Sequence, residues 1–195
     1  MNVNIILFDD FETMDAFGPA QIFGMVPEYF HMNYLSVNGG IINSSQGVKV
    51  WTEILNPGEI QGIVVIPGGR GANKLFHLEP DTLKLIKKAV QATDYCLMIA
   101  NGSAIMAQTG LLFHRQVADY PYNTNWKRMF SAEIIRLPDI RWTADGKFYS
   151  SSSTVAGLDM TLSLLADLAD LTVAIQAAQK LGYTWDYENE DGIFL

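Results

Sequence analysis

The stretch Tyr95-Cys96-Leu97-Met98-Ile99-Ala100-Asn101-Gly102-Ser103-Ala104 limits what this chain can fold into more than any other. It opens as a short apolar run with aromatic and β-branched members, the pattern of a buried strand. Asn101-Gly102 then signals a turn, because glycine takes positive φ without a Cβ clash and asparagine tolerates it. Ser103 to Thr109 follows with small residues at helical spacing, and Gly110 is placed to cap that helix at its C-terminal end. A strand that turns sharply into a helix lifts the residue at its apex toward the helix's free N–H groups. Here the apex is Ala100, which has no nucleophilic atom.

The rest of the chain repeats the same alternation of strand and helix. Val3 to Phe8 is a compact apolar strand ended by Asp9-Asp10, and a helix is expected from near Asp15, with Pro19 close to its N-terminal end. Asn33 to Asn38 reads as a second strand. Ile41-Ile42 and Val48 to Trp51, set off by Gly39-Gly40 and Ser44 to Gly47, read as a small antiparallel excursion. Gly62 to Ile66 is a continuous apolar run suited to a buried parallel strand, stopping at the loop Pro67-Gly68-Gly69-Arg70-Gly71. Leu83, Ile86 and Val90 carry helical spacing through Glu79 to Ala92.

Beyond the turn at Ala100, Arg115 to Pro121 is expected as a short strand and Asn123 to Phe130 as a short helix. Ile140 to Ser150 reads as a hairpin about Asp145-Gly146. Thr154 to Leu168 is expected as an amphipathic helix with Leu158, Thr161, Leu162 and Leu165 on one face. Leu171 to Lys180 completes the chain as a last helix capped near Gly182. Buried strands alternating with helices predict a parallel sheet covered on both faces, in a single domain over residues 1–195.

Three motifs resemble the ThiJ/PfpI superfamily, which has a class I glutamine amidotransferase-like fold. Ile99-Ala100-Asn101-Gly102-Ser103 with Gly110-Leu111-Leu112 resembles its elbow, V/I-C-T/N-G-A/S followed by a helix and A-G-L-L. Asp10, Phe11, Asp15, Gly18-Pro19 and Phe23 match its first motif, and Ser151 to Met160 resembles its closing motif. The resemblance implies a flavodoxin-like three-layer α/β/α sandwich with a mostly parallel central sheet. It is nearest to isonitrile hydratase-like members and to the N-terminal domains of AraC-type regulators. In the family a cysteine thiolate on the elbow works beside a carboxylate, with main-chain N–H groups steadying negative charge.

Carried over residue by residue, the resemblance implies a site at the carboxyl ends of the strands. Glu12 falls where many members keep an acid, and Asp15 where isonitrile hydratase-like members keep an aspartate. Gly68 and Gly69 stand as N–H donors, and Asn101 takes the place beside the nucleophile, followed by Gly102. Ala100 replaces the cysteine, and Tyr120, in Asp119-Tyr120-Pro121, replaces a histidine. Each has a plainer reading. Glu12 or Asp15 can be charge at a helix N-terminus; Gly68-Gly69 and Asn101-Gly102 can serve turns alone. Cys96, four positions before the apex, reads as a core residue.

Composition closes off several function classes. Lys plus Arg number 13 against 21 Asp plus Glu, a net charge of −8 that repels phosphate backbones and argues against a nucleic-acid partner. The single cysteine excludes an internal disulfide. No apolar run approaches the ~20 residues needed to span a bilayer, and the start lacks a signal peptide, so a cytoplasmic protein without a membrane partner is expected. His31, His77 and His114 lack metal-ligand spacing, and neither a dinucleotide fingerprint nor a P-loop is present, so no metal or cofactor is expected. Two function classes remain. One is a small-molecule-binding or catalytically weakened family member; the other is a hydrolase or hydratase working through Glu12 or Asp15 as acid-base. Family resemblance also implies a homodimer, with Phe23, Met25, Tyr29 and Trp51 offering apolar surface.

Overall fold

The structure, a computed structural model, describes residues 1–74, 80–122, 133–187 and 192–194. In chain order its elements are β1 (Asn2–Ile6), α1 (Thr13–Gly24), β2 (His31–Ser36), β3 (Gly40–Asn43), β4 (Lys49–Ile54), β5 (Ile63–Ile66), α2 (Arg70–Lys74) and α3 (Pro80–Ala92). They continue with β6 (Tyr95–Met98), α4 (Gly102–Gln108), β7 (Gln116–Ala118), β8 (Ile135–Leu137), β9 (Trp142–Asp145), β10 (Phe148–Ser151), α5 (Thr154–Leu168), α6 (Leu171–Lys180) and β11 (Gly192–Phe194). Nine strands form one sheet in the order β11-β9-β10-β6-β5-β1-β2-β4-β3. Among the described strands only the β9–β10 and β3–β4 pairings are antiparallel.

Alternation along the central strands divides the core in two. Ile63 and Val65 of β5 and Leu97 of β6 face α1, α5 and α6; Val64, Ile66, Cys96 and Met98 face α3 and α4. Successive side chains of a strand point to opposite faces, so an unbroken apolar run supplies both cores at once. This is the expected three-layer α/β/α sandwich. No helix among the described residues is long and apolar enough to cross a membrane.

Several local expectations need correction. Helix α1 begins at Thr13, which puts Pro19 in its second turn rather than near its start. There the proline ring supplies no N–H to the Asp15 carbonyl. Helix α5 is buried nearly all round, including Met160, Leu162, Ser163 and Leu164, because α1 and α6 cover the side turned away from the sheet. Phe23 is fully buried in the core and offers no surface. Strand β7 leaves the main sheet and pairs in parallel with β8. Strand β11, which has no counterpart in the sequence reading, adds a parallel edge beside β9. The helix expected over 123–130 lies outside the described residues.

Other expectations hold closely. Helix α6 ends in a Schellman motif in which the Tyr183 N–H donates to the Ala178 carbonyl (2.9 Å) and the Gly182 N–H to Gln179 (3.0 Å), with Gly182 at φ 64°. Gly110, at φ 75°, follows the end of α4 in the same left-handed conformation.

Candidate functional site

The turn between β6 and α4 carries strain at an unexpected position. Asn101 sits at φ −80°, and the positive φ belongs to Ala100, at 49°. For a residue with a Cβ that conformation costs on the order of 1–2 kcal/mol. Gly102 is required for closeness instead: a Cβ there would collide with the Ile66 carbonyl of β5. The turn is thus pressed against the neighbouring strand, and Ala100 absorbs the bend.

Four serines following β9 fix the surroundings of that apex. Ser150 Oγ accepts the Ala118 N–H (2.9 Å) and holds β7 against the sheet. Ser151 Oγ accepts the Ala100 N–H (3.3 Å) and donates to the Ser153 carbonyl (3.0 Å). Ser152 Oγ donates to the Arg141 carbonyl, and Ser153 Oγ accepts the Ala156 N–H as the N-cap of α5.

The apex opens into a cleft of about 220 Å³ at the carboxyl ends of β1, β5, β6, β7 and β10. This is where ligands bind in open α/β sheets. Glu12, Asp15, Gly69, Ala100, Asn101 and Tyr120 all line it, so six of the eight residues expected from sequence meet in one place. Gly68 and Gly102 shape its wall without lining it. Sequence reasoning missed Arg70, Asn73, Tyr122 and Thr154, which also line the cleft. Arg70 and Thr154 lie inside motifs already singled out, without having been given a role; Tyr122 is two residues past Tyr120, with which it makes an edge-on ring contact at 5.6 Å. A second cavity of similar volume, walled by Ile6, Phe8, Val37, Ile42 and Ile86, has no titratable group among its described lining residues.

Asp15 is the most buried charge-bearing group in the cleft, at 1% exposure. Its Oδ2 accepts the Gly68 N–H at 3.0 Å, while Oδ1 is buried with no hydrogen-bond partner among the described residues. Burial pushes its carboxyl up to about 6; the nearby Thr154 hydroxyl and the Gly68 N–H pull the other way, and the Glu12 charge adds to the rise. Glu12 lies at the N-cap of α1 and is held from outside. Gln46 donates to Glu12 Oε2 (3.1 Å) while its Oε1 accepts the Thr13 N–H (3.0 Å). Tyr120, which lines the same cleft, has its hydroxyl pushed up by burial and then by the Asp15 charge.

The Gly68-Gly69 loop corrects one expectation about mechanism. Its amides are not free to steady a developing anion: Gly68 N–H is donated to Asp15, and Gly69 N–H to Asn101 Oδ1 at 2.9 Å. Asn101 returns a bond from Nδ2 to the Gly69 carbonyl (2.9 Å) and another to Asn73 Oδ1 (3.2 Å). Gly69 stands at φ 124°, where a Cβ would lie 2.5 Å from both the Asp10 carbonyl oxygen and the Glu12 nitrogen. Among the described residues no group of three or more His, Cys, Asp or Glu is placed to hold a metal ion.

Comparison with known proteins agrees with this architecture. The chain is 22% identical to an isonitrile hydratase from Pseudomonas putida over 188 residues, covering 94% of this chain and 78% of that one. Its fold matches that of a ThiJ/PfpI family protein from Pseudomonas syringae (TM-score 0.79, 20% identity, covering 95% of this chain and 76% of that one). It also matches an AraC family transcriptional regulator from Pseudomonas putida (TM-score 0.73, 17% identity, 92% and 98%). The family model for DJ-1/PfpI matches residues 1–167, from the first strand through most of α5, and the chain belongs to the DJ-1/PfpI family.

Proposed function

We propose that this family member binds a small molecule in the cleft and has lost the thiol chemistry of cysteine-bearing relatives. One observation carries the reading. The apex residue keeps a strained left-handed conformation, φ 49°, yet presents only the methyl group of Ala100. The two loop amides that could stabilise an oxyanion are committed to Asp15 and Asn101. A cleft with these features can hold a ligand and lacks the thiol on which cysteine-bearing relatives would form a covalent intermediate.

A second reading has its own support. Asp15 is a buried carboxyl in the cleft raised to about 6, suited to exchange a proton near neutrality and activate water without sulfur. On that reading the chain is a hydratase acting through Asp15 or Glu12, as its similarity to an isonitrile hydratase suggests.

Isonitrile hydration to the formamide, measured for the wild type, Ala100→Cys and Asp15→Asn, separates the two. No turnover by the wild type, with turnover gained in Ala100→Cys, is the expected result. Equal turnover in wild type and Ala100→Cys, abolished in Asp15→Asn, would overturn the binding reading in favour of acid-base hydration.

A further inference from the structure

We propose that the cleft selects a small organic cation bearing N–H donors, of the amidinium, guanidinium or primary ammonium class. This rests on the binding reading above and names its ligand. The donor and acceptor inventory around the apex decides the sign. Three backbone N–H groups that could face an anion are already donated: Gly68 to Asp15 Oδ2 (3.0 Å), Gly69 to Asn101 Oδ1 (2.9 Å) and Ala100 to Ser151 Oγ (3.3 Å). Beside these committed amides one buried acceptor is unpaired. Asp15 lines the cleft, and its Oδ1 is buried with no hydrogen-bond partner among the described residues. A buried carboxylate oxygen without a donor is costly, and a charged N–H donor is what removes that cost.

The surroundings agree in charge and in shape. Glu12 supplies a second carboxylate, with Oε2 held by Gln46. Tyr120 and Tyr122 stand edge to face at 5.6 Å and 70°, giving the cleft an aromatic wall that attracts a cation over a ring face. Arg70 is the single cation among the described lining residues, and one of its N–H groups is donated to the Ser45 carbonyl (3.2 Å). Among the described lining residues two carboxylates stand against one guanidinium, a balance that favours a cation. A planar amidinium presents two parallel N–H donors to a carboxylate, the geometry of a bidentate pair.

Calorimetric titration of the full chain at pH 7.5 tests this with acetamidinium chloride, tetramethylammonium chloride, sodium acetate and neutral acetamide at matched ionic strength. Acetamidinium is expected to bind tightest, ahead of tetramethylammonium, which has charge but no N–H donor. Asp15→Asn is expected to weaken acetamidinium by at least ~10-fold, since a hydrogen bond to a charged group is lost. Tyr120→Leu is expected to weaken both cations, with Tyr120→Phe keeping the wild-type affinity. Acetate or acetamide binding more tightly than acetamidinium would overturn the ligand class and leave the binding reading in place. So would acetamidinium affinity untouched by both Asp15→Asn and Tyr120→Leu in variants that melt like the wild type. Proton spectra of the recovered probe keep the two proposals apart. Acetamidinium that binds and returns as acetamide and ammonium has added water, which upholds the cation class and overturns the binding reading.

Discussion

Asp15 and Gly68 are 53 residues apart in sequence, and the Gly68 N–H reaches Asp15 Oδ2 at 3.0 Å. This bond joins the first turn of α1 to the loop after β5, across the point where the strand order reverses about β1. It also fixes the orientation of the carboxyl, with one oxygen bound to the Gly68 N–H and the other buried without a partner among the described residues. The Glu12 N–H donates to the Gly68 carbonyl at 2.8 Å, so the same loop residue anchors both acids.

The raised Asp15 carboxyl makes stability depend on pH in a specific direction. Its folded value of about 6 lies above the ordinary 3.8, so between these values the native state holds more protons than the unfolded chain. Its contribution is therefore complete below pH ~4 and is lost as pH rises through about 6. The two-unit difference corresponds to at most ~3 kcal/mol. Denaturant midpoints of wild type and Asp15→Asn, compared from pH 4 to pH 7, are expected to diverge, with the variant gaining relative stability as pH rises. Parallel profiles would show that Asp15 titrates normally.

At the apex, Ala100→Gly is expected to be nearly neutral. Glycine relieves the left-handed strain of about 1–2 kcal/mol, but loses a buried methyl worth ~0.8 kcal/mol and adds freedom to the unfolded chain. In α4, where Ala104 is fully buried, Ala104→Gly has no strain to relieve and is expected to cost more than ~1 kcal/mol. Chemical denaturation of both variants checks the contrast; equal losses would mean that Ala100 is unstrained.

The sheet and most helices were legible because each apolar run carries a single period. Ile63 to Ile66 supplies both cores by alternation, and Leu171 to Lys180 with Gly182 marks a helix and its end. The cleft was legible in part, through short loop motifs that bring Glu12, Asp15, Gly69 and Ala100 together. Hydrogen-bond direction was not. Whether Gly68 and Gly69 face a ligand or a neighbouring side chain depends on where Asp15 and Asn101 land, which no local pattern encodes. The burial of α5 was hidden for a similar reason, since small and polar residues such as Gly157 and Ser163 mimic a solvent face until two other helices cover them.

Assembly is the next expectation. Ile41 of edge strand β3 lies opposite Trp51 of β4, and the pair is 58% and 72% exposed. An apolar cross-strand pair at an exposed edge favours association with a second copy. We propose a homodimer using this face. Sedimentation at micromolar concentration is expected to give twice the 21.7 kDa chain mass, falling to the monomer in Trp51→Glu. A wild type that sediments as the single chain rules the dimer out at that concentration.

Cys96 gives a final check on the placement of the central strand. It is fully buried in β6, between β5 and β10, four residues before the apex. Burial pushes its thiol up to about 12, while the Lys147 charge pulls only weakly in the other direction. Thiolate is the reacting species, so both access and ionisation protect this sulfur at neutral pH. Labelling by a small aromatic disulfide is therefore expected to be slow in the native protein and to be governed by global unfolding, since a strand in the middle of the sheet opens only with the whole core. Guanidinium sufficient to unfold the chain is expected to restore stoichiometric labelling within the mixing time. Ala100→Cys should then behave differently from the native thiol, with one sulfur reacting in folded protein at the cleft while Cys96 stays protected. Rapid labelling of the wild type under native conditions would place β6 at an accessible position and undo the assignment of Ala100 to the floor of the cleft.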